Sequence, residues 1–413
     1  MGSRALGLDL GLGPGLSIKN AMLYATFSAI AIESVVSRNR KVELLPVILP
    51  YALLMLYAFM TWLVLVLFVA NPYYDALSTL IRLKVKLVDQ FLILLVFFYG
   101  VVNVKDALWL LKALVWVVVL GCFITVVDSF NIPDLGIVTS RWSDGRVEGI
   151  LGSSQEFGAL CAFFLPAIVA LWWPAAGFRK VLALVGIGLV LVSLMLSASR
   201  GAMLGIVAGG IMAAFFLRQF VSAPIVARAV LAMMAFSIVA TLVVFSTDFG
   251  DLLRERLSTG MTTGDLETIS SGRTAIWGAA LQEMAQYPIS FVTGLGWEAY
   301  YQTIGYRFST HSVYLDRLYN LGFIGLALYL LSYSSAIVIA RRGLRSASEQ
   351  TTPLLIATVV GMTSFMISMA FSNTEGATPY IWAFTGLALR VAVTNIVKAS
   401  ENPAVTLSFA RAT

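Results

Sequence analysis

The chain has 413 residues, of which 59% are hydrophobic and only 12% are charged. Soluble globular proteins have roughly 45–50% apolar and about 25% charged residues, so this composition excludes a soluble multidomain protein and indicates membrane-spanning segments throughout. The formal net charge of +6 does not indicate nucleic-acid binding, because the basic residues fall in short clusters between apolar runs, as topology signals do.

Apolar stretches of about 17–25 residues predict the membrane crossings. In chain order they cover residues 18–36, 44–70, 87–103, 107–128, 157–174, 181–198, 201–217, 226–246, 318–340, 352–372 and 378–396. We therefore predict an all-α, polytopic membrane protein with about 11–12 transmembrane helices. We expect no signal peptide, and an extra, weakly apolar span at Ala5–Leu16 would move the N-terminus from the outside to the cytoplasm.

Basic clusters set the predicted orientation, because they stay on the cytoplasmic side. If the loop with Arg38, Arg40 and Lys41 is cytoplasmic, most later clusters fall on the same side by alternation. The exception is the stretch 71–86, which is predicted to be outside although it contains several cations. We interpret it as an amphipathic segment in the outer interface, where its cations contact lipid phosphates or an anionic substrate; they are Arg82, Lys84 and Lys86.

Two outer segments are too long to be simple linkers, namely 128–156 and 247–317. They divide the chain into N-terminal transmembrane helices (1–246, including the first loop), a large, partly helical periplasmic loop (247–317) and C-terminal transmembrane helices with a cytoplasmic tail (318–413). In the large loop we predict an amphipathic helix capped by Ser270 or Ser271 and closed by Pro288, followed by a turn at Gly294-Leu295-Gly296.

Three outward residues are candidates for chemistry. His311, the only histidine, suits general-base work or hydrogen bonding to a hydroxyl. Arg200 lies between two crossings, where a charge is costly unless it faces a cavity or a phosphate. Arg273 opens a helix whose dipole opposes it, which indicates a ligand. The ordinary alternatives are a histidine that caps a helix or lies at the membrane interface, an Arg200 that reaches the headgroups, and an Arg273 paired with Asp265 or Glu267.

Further arginines are predicted to face outward. They are Arg141, Arg146, Arg254, Arg256, Arg307 and Arg317. Guanidinium groups bind phosphate oxygens in a bidentate way, and the chain has no phosphate-binding glycine loop, nucleophile elbow or Asp-x-Asp pair. Since Cys122 and Cys161 lie inside apolar segments and there is one histidine, we expect no disulfide framework, metal or cofactor. These features favour transfer from a donor with an anionic leaving group, such as a lipid diphosphate.

Three motifs in order resemble the signatures of the O-antigen ligase and Wzy-type polymerase family. They are Ser-Ala-Ser-Arg-Gly-Ala at 197–202, Gly-Arg-Thr-Ala-Ile-Trp at 272–277 with Gly-Leu-Gly at 294–296, and His-Ser-Val-Tyr-Leu-Asp at 311–316 before Leu-Gly-Phe-Ile-Gly-Leu at 321–326. The resemblance covers roughly residues 140–335. It implies an enzyme that transfers a glycan from an undecaprenyl diphosphate carrier, without metal and with inversion at the sugar.

The resemblance also implies residue roles. Arg200, Arg273 and His311 take the positions of the family's catalytic residues, while Gly152-Ser-Ser-Gln155 resembles its first loop. We predict substrate binding by Arg146, Arg141, Arg82 and Gln155. The family usually has Asn after the histidine, where this chain has Ser312, which questions a supporting hydrogen bond.

The expected location is the bacterial inner membrane, with the active site facing the periplasm. The expected partners are a carrier-linked glycan donor, a glycan or lipid A core acceptor, membrane lipids and a regulator of chain length, with no nucleic acid. Polymerisation of O-antigen or exopolysaccharide repeat units is the preferred function, and ligation to lipid A core is the alternative. A polysaccharide transporter or flippase is less favoured, because its charges would lie near the bilayer midplane; a structural scaffold leaves His311 and Arg200 unexplained.

Overall fold

The structure is a computed structural model that describes residues 11–13, 16–36, 46–69, 74–129, 146–172, 175–220, 238, 242, 272–302 and 309–401. Strands β1 (Gly11–Gly13) and β2 (Leu16–Ser17) form a small antiparallel hairpin. The helices are α1 (Ile18–Val36), α2 (Ile48–Phe68), α3 (Ala76–Leu83), α4 (Asp89–Tyr99), α5 (Val104–Ser129), α6 (Ser154–Trp172), α7 (Phe178–Leu196), α8 (Arg200–Leu217), α9 (Arg273–Gln286), α10 (Ser290–Thr293), α11 (Ala299–Gln302), α12 (Val313–Gly343), α13 (Thr352–Phe371) and α14 (Thr378–Glu401).

Eight helices in the described ranges are long and apolar enough to cross a membrane; they are α2, α5, α6, α7, α8, α12, α13 and α14. The prediction of a helical, multi-pass membrane protein is thus confirmed, while the number of crossings stays a prediction. The crossing at 226–246 falls outside the described residues except for positions 238 and 242. The extra N-terminal span is wrong for its described part, since Gly11–Gly13 pairs with Leu16–Ser17 as strands.

The stretch predicted as an interfacial segment is continuous with α4, the helix at the position of the next predicted crossing. Asp75 caps α3 by accepting hydrogen bonds from the backbone of Leu77 and Ser78. A single π-helical turn (Lys84–Val88) then leads directly into α4. The cations of this stretch bind carboxylates of the protein, so the interpretation that they contact only lipid phosphates is wrong.

The transmembrane helices form an inner and an outer group. Helices α6, α13 and α14 are the most buried, whereas α2 is mostly exposed and presents apolar side chains such as Leu49, Leu56 and Leu67 to the lipid. Gly201, Gly205 and Gly209 recur every fourth residue on α8, and added Cβ atoms there would lie within 2.5 Å of atoms of α13 or of the residue that follows it. Small residues at this spacing let two helices approach closely, so they hold the start of α8 against the end of α13.

The helix ends form two distinct faces of the bundle. Helices α6, α8, α12 and α14 begin, and α7 and α13 end, at one face, which we call the site face. The backbone N–H of Val147 donates to the carbonyl of Leu196 there (3.1 Å), and that of Asn373 donates to the side chain of Gln155 (3.2 Å). Arg179, Arg341 and Arg345 lie at the opposite helix ends, as their sequence positions require.

Helix α12 is broken near its start. Gly322 has a φ of 64°, outside the helical range, so the first turns form a separate short helix. The carbonyls of Tyr319 and Asn320, freed by this break, accept hydrogen bonds from Leu295 N (2.8 Å) and Gly296 N (2.9 Å). Gly294 has a φ of 77°, and a Cβ there would lie 2.3 Å from the Asn320 carbonyl oxygen. The predicted Gly-Leu-Gly turn is confirmed, and it satisfies the backbone at the break.

The predicted helix of the large loop is confirmed with a different start. It begins at Arg273 after Gly272, which adopts a left-handed conformation, so the expected serine cap is wrong. It ends at Gln286, two residues before Pro288, as predicted. Three helices lie in the described part of the loop, which is therefore partly helical.

Candidate active site

His311 lies on the site face in a strained turn before α12. Its φ of 52° is uncommon for a residue with a side chain. Its backbone N–H donates to Ser309 Oγ (3.2 Å). Ser312 caps α12 by accepting from Leu315 N (3.3 Å), so the alternative that His311 is the cap is wrong. Serine and asparagine are both good caps, so Ser312 supplies a supporting hydrogen bond at the position where the family usually has Asn.

The imidazole of His311 contacts the side chain of Gln155 at the start of α6. Gln155 Nε2 lies 3.2 Å from His311 Nδ1, and Gln155 Oε1 accepts a hydrogen bond of 3.2 Å from the backbone of Asn373. Gln155 thus connects His311 to the loop 372–377 between α13 and α14. Both ends of its amide are engaged within the protein.

Arg273 joins the site from the first turn of α9. Its guanidinium donates to the carbonyl of Phe371, the last residue of α13, at 2.5 Å. A cation at a helix C-terminus complements the dipole of that helix, which offsets its unfavourable place in α9. On the same helix, Trp277 Nε1 donates to the carbonyl of Thr310 (2.7 Å), next to His311. These two hydrogen bonds fix α9 over the site.

The charges of Arg200 and Arg146 both act on the guanidinium of Arg273. Ser199 caps α8 by accepting from Ala202 N (3.4 Å), which places Arg200 at the exposed N-terminus of that helix. Burial and the positive charges of Arg200 and Arg146 lower the pKa of Arg273 to about 10, so it stays protonated at neutral pH. Three guanidiniums from three segments therefore produce a positive potential at one place.

His311 responds to the same charges. Burial lowers its pKa below the ordinary value, and the positive charges of Arg273 and Arg146 lower it further. The imidazole is therefore neutral at neutral pH. A positive site that also contains an uncharged hydrogen-bonding ring suits an anion with oxygen acceptors.

A second group of charged residues lies on the same side of the bundle; we call it the charge network. Its members are Arg82, Lys86, Arg317, Glu298, Glu375 and Asp316. Glu298 accepts from Arg82 (3.1 Å) and Lys86 (2.6 Å). Burial alone would raise the pKa of Glu298, but Lys86 and the arginines outweigh burial and lower it. This carboxylate is therefore ionised inside the protein.

Arg317 is the centre of the charge network. Its side chain is only 2% exposed and lies 3.1 Å from Asp316 and 3.3 Å from Glu375. The rings of Trp297 and Tyr329 lie 5.2 and 5.4 Å from the guanidinium. The prediction that Arg317 faces outward is wrong, because its side chain is buried and its charge is neutralised by the adjacent Asp316 and by Glu375 from the loop 372–377.

The structure brings five predicted site residues together: Arg146, Gln155, Arg200, Arg273 and His311. Arg82 instead contacts Glu298 in the charge network. Arg141 lies outside the described residues, as do Arg254, Arg256 and Arg307, and Asp265 and Glu267, the expected partners of Arg273. In the described ranges, no group of three or more His, Cys, Asp or Glu side chains could hold a metal ion.

Sequence reasoning missed the loop 372–377. Asn373 binds Gln155 and Glu375 binds Lys86 (3.1 Å), so this loop links the site to the charge network. The signal was a polar run, Ser372-Asn-Thr-Glu375, between two apolar helices.

The motifs that carry the resemblance now lie side by side. Residues 185–330 match the model of the O-antigen ligase family. The match includes Arg200, Arg273 and His311, whereas Arg146 and Gln155 precede it. The predicted resemblance to this family is confirmed. No curated protein is significantly similar to the chain. The O-antigen ligase family and the apolar helices together support a multi-pass membrane enzyme that transfers lipid-linked glycans.

Proposed function

We propose that this protein transfers a glycan from an undecaprenyl diphosphate carrier to a sugar hydroxyl at the periplasmic face of the bacterial inner membrane, without a metal and with inversion at the sugar. The observation that carries this proposal is the convergence of three guanidiniums and a neutral imidazole at one end of a membrane bundle. Such groups neutralise the charge that develops on a departing diphosphate.

In this proposal Arg200, Arg273 and Arg146 bind the diphosphate. Arginine suits this role because its planar fork binds phosphate oxygens in a bidentate way and stays ionised. The N-terminus of α8 adds the positive end of a helix dipole beside Arg200. His311 contacts the reacting groups, and Gln155 holds the imidazole by a hydrogen bond to its Nδ1.

The distribution of basic residues supports the side of the membrane. Arg179, Lys180, Arg341, Arg342 and Arg345 lie at helix ends opposite the site face. Because cytoplasmic loops are enriched in Lys and Arg, we assign the site face to the periplasm. The three parts predicted from the sequence, 1–246, 247–317 and 318–413, then become a membrane bundle whose two halves are joined by a periplasmic loop.

Polymerisation is the first candidate reaction, with the sugar end of another carrier-linked glycan as acceptor and a regulator of chain length as a further partner. Ligation to lipid A core is the second candidate, which the description of the matched family favours. Both reactions use the same donor and the same site chemistry, so they differ only in the acceptor.

The test replaces His311 and Arg200 singly by alanine in a strain that depends on this protein. After membrane insertion is verified, glycan chain length and attachment to lipid A are measured by gel electrophoresis. Loss of long chains with retained attachment of single repeats supports polymerisation. Accumulation of long carrier-linked chains supports ligation. Normal products from both variants would show that the proposed enzymatic function is wrong.

A further inference from the structure

The hydrogen bonds of Gln155 determine how its amide is oriented. The backbone N–H of Asn373 can only donate, and it lies 3.2 Å from Gln155 Oε1. A flipped amide would place two donors against each other. The NH2 group of Gln155 therefore points toward His311, where it lies 3.2 Å from Nδ1.

This orientation selects one tautomer of His311. An amide NH2 group has no acceptor lone pair, so Nδ1 must accept its hydrogen bond. The single ring proton of a neutral imidazole then lies on Nε2. Within the described residues Nε2 has no hydrogen-bond partner of its own, which leaves its N–H for a ligand.

We propose that Gln155 holds His311 as the Nε2–H tautomer, so that His311 donates a hydrogen bond to the diphosphate of the lipid-linked donor and does not take a proton from the acceptor hydroxyl. The identity of the ligand rests on the proposed function, whereas the tautomer rests on the geometry alone. Gln155 is accordingly a positioning residue.

The surroundings of the ring favour a phosphate oxygen as its partner. Arg273 on α9 and Arg146 before α6 are the charges that act on His311. A narrow cleft next to this turn is lined by residues 309, 310, 312 and 313 and by Asp316 and Glu375, whose carboxylates are held by Arg317. An Nε2–H beside two guanidiniums completes a set of donors for one anion.

The transfer step balances without a basic histidine. The acceptor oxygen forms a bond to the sugar carbon, and the bond from that carbon to the diphosphate oxygen breaks with its electron pair on that oxygen. The arginines and the His311 N–H stabilise the resulting charge. The hydroxyl proton passes to the released diphosphate, whose terminal phosphate has a last pKa of about 6.

The direct test uses the fact that the chain has one histidine. The full-length protein, labelled with 15N-histidine and purified through a histidine-free tag, is examined by NMR at neutral to mildly alkaline pH without substrate. We expect a proton-bearing Nε2 and an unprotonated Nδ1. A proton-bearing Nδ1 would overturn the tautomer and leave the proposed function intact. If the tautomer is as expected but the protein shows no glycan transfer, the diphosphate is not the ligand and the proposed function is wrong.

The Gln155→Glu substitution tests the role by reversing the hydrogen bond. A carboxylate still accepts from Asn373 N but also accepts from Nδ1–H, so Nε2 loses its proton and the pKa of His311 rises. If His311 is a donor, transfer at pH 8 falls by about 100-fold and recovers as the pH decreases, because the imidazolium regains Nε2–H. If His311 is a base, the carboxylate strengthens it, and transfer is retained and increases with pH; that result overturns the proposal.

Gln282→Glu is the matched control. Gln282 is exposed on α9, so Gln282→Glu adds the same charge near the site without a hydrogen bond to His311. We expect it to have the wild-type rate, the wild-type pH profile and the wild-type NMR pattern. Both variants are also examined by NMR, so a Gln155→Glu protein that is inactive for structural reasons still reports its tautomer.

Discussion

The site and the charge network lie on the same side of the bundle, yet they handle charge in opposite ways. The charge network pairs three cations with three carboxylates, and its central Arg317 is buried and neutralised. In the site, Arg273 is acted on by Arg146 and Arg200, and all three are cations. Balanced charge stabilises the protein, whereas like charges held together indicate a place for an anionic ligand.

Removing the centre of the charge network should have the largest effect. Arg317→Met leaves the buried Asp316 without its cation and Glu375 with Lys86 alone, which we expect to destabilise the protein by about 3–5 kcal/mol. A fall in unfolding temperature or in yield in detergent measures it. A stability equal to that of the wild type would show that the network is not structural.

Removing a guanidinium from the site should instead affect transfer. We expect Arg200→Ala and Arg273→Ala each to reduce the rate about 100- to 1000-fold, as the loss of a preorganised donor does. Arg200 is exposed, so Arg200→Ala should lower the unfolding temperature much less than Arg317→Met does. The control is Arg345→Ala, at an exposed position on the opposite face, which should keep the wild-type rate.

Disturbing the contact between the Gly-Leu-Gly turn and α12 should lower the stability by an intermediate amount. Gly294→Ala places a Cβ 2.3 Å from the Asn320 carbonyl oxygen in a left-handed conformation, which we expect to cost about 1–3 kcal/mol. Gly278→Ala is its control, because no atom lies within 4 Å of an added Cβ there and the residue is inside α9. That control should stabilise the helix by about 0.5–1 kcal/mol, as judged by thermal unfolding. Equal unfolding temperatures for the two variants would contradict this account.

The smallest effect is expected in the pH dependence of the wild type. Because the pKa of His311 lies below its usual 6.5, transfer should be constant at neutral pH and should decrease only when the pH falls through that lowered pKa. The imidazolium keeps its Nε2–H, but its new Nδ1–H faces the NH2 group of Gln155, so the hydrogen bond that positions the ring is lost. The measurement is kcat/KM against pH, and a midpoint above 6.5 would disagree with the positive surroundings of the ring.

The sequence was most informative where a residue type has one structural consequence whatever its partners in the fold. Apolar runs located the helices, Pro288 marked the end of α9, and Arg200 and Arg273 marked the site, because a charge beside an apolar segment is costly. Arg317 was misjudged, since Glu375 reaches it only after α12 and the loop 372–377 meet. The role of Gln155 likewise depends on a backbone N–H contributed 218 residues later, which no local pattern encodes.

The break in α12 has a mechanical consequence. The carbonyls before Gly322 accept hydrogen bonds from Leu295 and Gly296, so residues 313–321 are attached to the large loop as well as to α13, where Tyr314 donates to the carbonyl of Met366. A transmembrane helix tilts to match the thickness of its bilayer. We expect the break at Gly322 to absorb part of such tilting, so that the position of His311 depends little on the thickness of the membrane.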